Sequence, residues 1–234
     1  GTNGKGSTAR YIANTLENDG YKVGLFLSPH FLRVNELATI NGVEISDDFI
    51  ISQIYKYDAL FKKHALSMFE MMTFISFQYF LAHNVGFTIV EVGMGGLNDA
   101  TNIFTPLLSI ITNVGLDHKV ELGPTLADIA KHKAGIIKQS IPVIVGPMAA
   151  SARDVIINDA KEKRAPIINF EPHFEVLARN FSKIVFQSDG ETYELASGAK
   201  YEIINALCAL TALKYLQAME FKTTLKSFKQ ALLT

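Results

Sequence analysis

Short apolar runs alternate with helical segments over the first 170 residues, predicting an α/β protein built on a doubly wound, mostly parallel sheet. Two further observations refine that class. The opening Gly1-Thr2-Asn3-Gly4-Lys5-Gly6-Ser7-Thr8 runs directly into helical spacing, as a P-loop does. After residue 170 the pattern shifts to short strand-like runs, which predict a small antiparallel sheet near 175–195.

The elements follow in order. Ala9, Ile12, Ala13 and Leu16 recur at helical spacing, and Gly20 supplies a stop. A strand over 22–27 leads through a long loop to a hairpin whose turn is Asn41-Gly42. Helices over 47–63 and 69–83 come next, the first capped by Ser46 or Asp47. Apolar runs at 87–92, 107–112, 142–145 and 166–169 read as strands, and helices over 125–137 and 151–163 lie among them. Strands joined through helices pair in parallel with right-handed crossovers. Runs at 175–178, 184–187 and 192–195 read as antiparallel, the last two joined at Asp189-Gly190, and helices over 201–217 and 222–233 follow. No repeat or low-complexity linker divides the sequence, so 1–234 is read as one domain. A phosphate loop is aimed by the strand before it, so this domain is expected to be incomplete at its N-terminus.

Composition narrows the functions. A 234-residue chain with 48% hydrophobic and 19% charged residues can bury a full core and is not a disordered segment. A net charge of −1 gives no electrostatic reason for nucleic acid or an anionic membrane as partner. The densest basic group, Lys131, His132, Lys133 and Lys138, is spread along one predicted helix. The single cysteine, Cys208, excludes a disulfide framework within these residues and reads as a buried, inert thiol in a reducing compartment. No apolar run is long enough to span a bilayer, and no signal-like segment opens the sequence. A cytoplasmic location is expected.

The chemistry-bearing residues begin with the glycine-rich loop. Its glycines let backbone N–H groups curl around phosphate oxygens, and the helix that follows adds partial positive charge. Lys5 would reach the terminal phosphates, while Ser7 or Thr8 would face phosphate or magnesium. The bland alternative is a turn capped by Ser7, which would not need a lysine between two glycines. Glu91 ends the apolar run 87–92, at the strand end where open α/β sheets place ligands. A carboxylate there suits the magnesium that bridges ATP phosphates. The alternative is a surface acid terminating a strand, but Gly93, Gly95 and Gly96 behind it allow close backbone approach.

His118 follows Thr112-Asn113-Val114-Gly115 and so falls on the same sheet edge. A lone histidine after a strand is more often structural than a ligand. Lys133 lies in a helix, where lysines are ordinarily just solvated. Asn205 heads Asn205-Ala206-Leu207 and reads equally as a helix cap. Met68, Met71, Met72, Phe69 and Phe74 read as core or pocket wall.

GTNGKGST resembles the phosphate loop of the Mur ligase superfamily, in the Lys-Gly-Ser form typical of its folylpolyglutamate synthase/dihydrofolate synthase branch. Peptidoglycan-building members more often have Lys-Thr-Thr. Further segments are similar to that folate branch in the right order: Ser28-Pro29-His30, Phe69-Glu70-Met71-Met72-Thr73, Glu91-Val92-Gly93-Met94-Gly95-Gly96 with Asp99-Ala100-Thr101-Asn102, Leu116-Asp117-His118 leading to Leu122-Gly123, and Ile129-Ala130-Lys131-His132-Lys133-Ala134-Gly135-Ile136-Ile137. The resemblance covers nearly the whole sequence.

It implies ATP bound by Gly1 to Thr8 and by Asn205 at the adenine, and a first Mg2+ held by Ser28 and Glu91. It also implies a second Mg2+ helped by His118, and a carbamate on Lys133 that ligates or positions that ion. Lys5, His118 and Lys133 form the implied catalytic set. The implied reaction is ATP-dependent addition of L-glutamate to folate or dihydropteroate through an acyl phosphate, by a monomer. The resemblance further implies a C-terminal domain with an Asp-x-Ala-His-Asn-like segment, outside residues 1–234, that completes the site.

Departures are equally visible. Leu37 follows Asn35-Glu36 where the family usually has arginine, and Leu97-Asn98-Asp99 follow Gly95-Gly96 where Arg-Leu-Asp is common. His132 replaces the usual glutamate, and Tyr201-Glu202 stand where His-Gln is common. The first two bear on the folate-side loop, while the magnesium positions are intact. A peptidoglycan-type ligase and a non-catalytic nucleotide- or folate-binding paralogue are the alternatives.

Overall fold

The computed structural model describes residues 2–234. Helix α1 (Lys5–Asn18) starts at Gly4, whose left-handed φ of 75° turns the chain into the helix, and no side chain caps it. Gly20, at φ 95°, follows its end. Strand β1 (Val23–Phe26) is buried along its whole length. It pairs antiparallel with β2 (Ala38–Ile40), which forms the expected hairpin with β3 (Val43–Glu44). Asn41 and Gly42 both take positive φ, the requirement of a two-residue primed turn. Ser46 caps α2 (Asp47–Lys63) by accepting from the Phe49 N–H. Ser67 and Glu70 form a reciprocal capping box for α3 (Met68–Ala82).

Strand β4 (Phe87–Val90) then lies parallel to β1, with Val23 opposite Phe87 and Phe26 opposite Val90. A second sheet is wholly parallel: β5 (Ser109–Ile111), β6 (Val143–Val145) and β7 (Ile167–Asn169), in that order. Between them run α4 (Lys119–Leu122), α5 (Leu126–Ala134) and α6 (Ala150–Glu162). The small antiparallel sheet, β8 (Glu175–Arg179), β9 (Ile184–Ser188) and β10 (Glu191–Leu195), is where the sequence predicts it, with its turn at Asp189-Gly190. Helices α7 (Tyr201–Ala218) and α8 (Leu225–Ala231) complete the domain.

The predicted fold class holds, with local corrections. The hairpin gives the first sheet two antiparallel joints, in the order β3-β2-β1-β4. The run 87–92 stops pairing as a strand at Val90, because its partner β1 ends at Phe26. The helix expected over 125–137 stops at Ala134, and α8 begins only after its Thr224 cap. Helix α4, a single turn, carried no periodicity from which to foresee it.

Three apolar clusters hold these layers. One joins α1, β1, the antiparallel sheet and α7; a second lies among β6, α5 and α6; a third packs α2 and α3 on the first sheet. Strands β4 and β5 are end strands of their sheets, and a cavity of about 380 Å³ lies between them. Residues 86–92 line one side and 106–110 the other; Ala9 and Ile12 of α1 and Ala212 and Leu216 of α7 close its floor. One parallel strand in that space would join the two sheets into a single one. Among the described residues no helix is long and apolar enough to cross a membrane.

Candidate nucleotide-binding site

The phosphate loop is built from both ends of the domain. The Thr2 N–H donates to the Asn113 backbone carbonyl (3.1 Å), and Thr2 Oγ1 accepts from the Gly115 N–H (2.8 Å). Asn113 Oδ1 accepts from the Asn3 N–H (3.0 Å), and Thr112 Oγ1 donates to the Asn3 carbonyl (2.6 Å). These bonds fix the loop to the chain leaving β5, and they give Thr2 and Asn3 a loop-shaping part. Gly4 has no room for a side chain: a Cβ there would lie 2.1 Å from Asn205 Oδ1. The capped-turn alternative fails, because Gly4 is the cap and Ser7 donates instead to Glu202 (2.9 Å). The first N–H groups of α1 therefore remain available to an anion. Gly1 lies outside the described residues.

Glu91 sits one residue past β4, its N–H held by the Phe26 carbonyl at 2.9 Å. Its carboxylate is buried, lies 3.7 Å from the Lys5 ammonium, and accepts from the Ser28 N–H at 3.2 Å. A Cβ on Gly6 would be 3.3 Å from the same carboxylate, so a side chain there would press Glu91 aside by a few tenths of an ångström. Burial raises the Glu91 pKa above the ordinary value, against the pull of the Ser28 N–H and Lys5. The peptide between Ser28 and Pro29 is cis.

Lys133 comes to this cavity from α5. Gly95 and Gly96 adopt φ of 67° and 155°, and a Cβ on Gly96 would lie 2.7 Å from the His132 carbonyl. The Leu97 N–H donates to that carbonyl at 2.8 Å, which seats α5 on the glycine-rich turn after β4. Lys133 is consequently buried and lines the cavity with Lys5, Glu91, Gly95 and Thr112. Burial first, and then the Lys5 charge, lower its pKa to about 8, while Asp117 opposes the shift. A solvated lysine is not what this position holds.

His118 takes a left-handed φ of 50° at the start of α4, with Nε2 3.6 Å from Asp117 Oδ2. It is half-exposed and does not line the cavity with Lys133. Among the described residues no group of three His, Cys, Asp or Glu side chains converges to hold a metal. Glu91 offers one buried carboxylate beside the uncapped end of α1, and Mg2+ takes one or two carboxylates together with waters and substrate phosphates.

Asn205 is buried in the second turn of α7, which rules out its cap reading; the helix begins after Lys200. Its amide donates to Glu202 Oε2 at 3.2 Å while its oxygen lies over Gly4. Sequence reasoning missed three supporting carboxylates. Asp99 accepts from the Met94 and Thr101 N–H groups and shapes the turn after β4. Glu36 accepts from the N–H groups of Phe31, Leu32 and Arg33 and fixes the loop after Ser28. Glu202 ties α7 to the phosphate loop. The Asp-x-Thr spacing at 99–101 could have signalled the first, since Asx-type turns use it.

The match that settles the family spans residues 1–213 and is to the Mur ligase middle domain. The chain belongs to that family. A Mur ligase middle domain contributes only part of its relatives, and this one is 40% identical over 173 residues to a Bacillus subtilis dihydrofolate synthase/folylpolyglutamate synthase, spanning 71% of the chain and 40% of the relative. It is 35% identical over 229 residues to the Saccharomyces cerevisiae dihydrofolate synthetase, spanning 94% and 52%. A solved folylpolyglutamate synthase complex with AMPPCP and folate superposes with a TM-score of 0.88 at 32% identity, covering 99% of this chain and 60% of that one. The chain thus spans about half the length of the curated relatives it matches.

Proposed function

We propose that this domain is the nucleotide-binding part of an ATP-dependent amide ligase that adds L-glutamate to folate, to dihydropteroate, or to both. One observation carries the reading: an uncapped helix N-terminus with Lys5 beside it faces the Glu91 carboxylate at the end of a parallel strand. That arrangement seats a nucleoside triphosphate and its cation. The relatives' names and the AMPPCP–folate complex support the substrate class.

In the reaction an oxygen of the substrate carboxylate attacks the γ-phosphorus of ATP, and ADP leaves. The glutamate amine then attacks the acyl carbon, loses a proton, and expels phosphate as the amide forms. Lys5 and the first N–H groups of α1 neutralise charge on the transferring phosphoryl group. Ser28 and Glu91 would hold the first Mg2+, which supplies further neutralisation of the phosphate oxygens. A carbamate on Lys133 would serve the second, and His118, half-exposed beside Asp117 and outside the cavity that Lys133 lines, would have to turn toward it to help. Buried lysine amines with lowered pKa react with carbon dioxide in their neutral form, and Lys133 has that character. Asn205 beside Gly4 is assigned to the base, and the enzyme is proposed to work as a cytoplasmic monomer.

The test is incorporation of labelled glutamate by the full-length protein with ATP and Mg2+, offered folate, dihydropteroate or a UDP-linked peptidoglycan precursor. Turnover with a folate compound is expected. Turnover with the UDP-linked compound alone, or none at all, would overturn the reading.

A further inference from the structure

Two carboxylates approach the phosphate loop, and they are not equivalent. Glu91 meets α1 at Gly6 and lies 3.7 Å from Lys5, so a cation offsets its charge. Glu202, in the first turn of α7, meets another face of α1. Its Oε1 accepts from Ser7 Oγ (2.9 Å), and its Oε2 accepts from the Tyr11 hydroxyl (3.1 Å) and the Asn205 amide (3.2 Å). All three donors are neutral. Among the described residues no lysine, arginine or histidine forms an ion pair with Glu202.

We propose that Glu202 is a positioning and selectivity residue that makes nucleotide binding depend on a divalent cation. The inference rests on the nucleotide reading above and goes beyond it. Three neutral hydrogen bonds hold the carboxylate in place without cancelling its charge, so a negative field stands beside the uncapped end of α1. That field opposes the helix dipole and Lys5 in attracting phosphate. It penalises a metal-free nucleotide, with its larger negative charge, more than a magnesium-bound one. The bond to Glu202 also commits the Ser7 proton, so the Ser7 oxygen faces a ligand as an acceptor only, suited to a cation or its water.

Tyr11 supports the geometry: burial first, then the Glu202 charge, raise its pKa, so the hydroxyl stays a donor. Residues 7 and 11 are one helical turn apart, so one carboxylate reaches both. A glutamine at 202 would keep the shape and most of the bonding but lose the charge.

The experiment is titration calorimetry of ADP binding to the full-length protein, in EDTA and in saturating Mg2+, for wild type, Glu202→Gln and Tyr11→Phe. A unit charge roughly 10 Å from the phosphates, at an effective dielectric of about 20, changes an affinity about tenfold. Metal-free ADP carries about two more negative charges than Mg-ADP, so Glu202→Gln should tighten metal-free ADP at least about tenfold more than it tightens Mg-ADP, lowering the benefit of Mg2+. Tyr11→Phe removes one neutral donor but keeps the carboxylate, so it should keep that benefit, and it provides the test if Glu202→Gln does not fold. An unchanged magnesium benefit in folded Glu202→Gln, or a collapsed one in Tyr11→Phe, overturns the inference alone. Absence of ADP binding by wild type in both conditions overturns the nucleotide reading, and this inference with it.

Discussion

The Lys5 ammonium stands 3.7 Å from the Glu91 carboxylate, joining the phosphate loop to the end of β4 through one ion pair. The pair is loose, and both partners line the cavity, so each can turn to a ligand. Lys5→Ala in the full-length protein should lower turnover by about a hundredfold or more while leaving the fold intact, the scale seen when a preorganised charge is removed from a phosphoryl site. Glutamate incorporation, with circular dichroism as control, reads this. Activity within a few-fold of wild type would exclude Lys5 from the phosphate site.

Glu91→Gln should weaken the response to Mg2+ far more than it weakens folding. Burial raises the Glu91 pKa in the folded protein, so this group favours folding least once its carboxyl is ionised. The glutamine variant should be at least as heat-stable as wild type near neutral pH and need much more Mg2+ for half-maximal turnover. A lowered melting temperature with an unchanged Mg2+ requirement would make Glu91 structural.

Gly4→Ala should abolish nucleotide binding. An alanine there must take φ near 75° and put a Cβ 2.1 Å from Asn205 Oδ1. The Asn205→Ala background removes the collision but keeps the backbone strain, so it should restore only part of the affinity. ADP titration of the single and double variants checks both steps. Full binding by Gly4→Ala would show that the loop is not held in this form.

Lys133 should show a pH-dependent carbamate. Its pKa of about 8 leaves a substantial neutral fraction at mildly alkaline pH. In labelled bicarbonate the carbon-13 carbamate signal should rise between pH 7 and 9, vanish on acidification, and be missing in Lys133→Ala. The unmodified lysine carries a stability signature of its own. Its folded pKa lies below the ordinary lysine value of 10.5, so the unfolded state binds more protons between about 8 and 10.5. In bicarbonate-free buffer stability should therefore gain from this group as pH climbs through that window, and Lys133→Met should lose that gain. A carbamate signal that survives in Lys133→Ala would assign it elsewhere.

Glu70 falls in a family-like segment, yet its bonds are to Ser67 at the start of α3. Ser67→Ala should cost about 1 kcal/mol of stability, as loss of an N-cap does, with kcat changed less than twofold. A large fall in kcat without loss of stability would give this turn a direct part in the reaction.

Legibility tracked the range of the interaction. Helix α1, the Asn41-Gly42 hairpin and the Ser46 cap depend on residues within a turn of one another, so spacing and turn chemistry revealed them. The phosphate loop was readable for the same reason. Burial of Lys133 was not: a lysine in an amphipathic helix looks alike in sequence whether water or the turn at Gly95-Gly96 covers it. Glu202 was noticed only as a departure from a family pattern, because its bond to Ser7 joins residues 195 positions apart. The exposed, Asp117-paired setting of His118 was equally invisible, since a histidine after a strand does not announce where its ring points.

The gap between β4 and β5 bears on how this domain behaves in the test tube. Each strand presents a rim of backbone donors and acceptors along an apolar trough, and parallel rims of that kind are templates for a guest segment. A preparation of residues 1–234 is therefore exposed to strand capture between copies, and its solubility should fall with concentration sooner than its net charge alone suggests. Amide protons on the open sides of β4 and β5 should exchange with solvent faster than those bonded into β1 and β6, and any polypeptide that settles into the trough should slow both sets together.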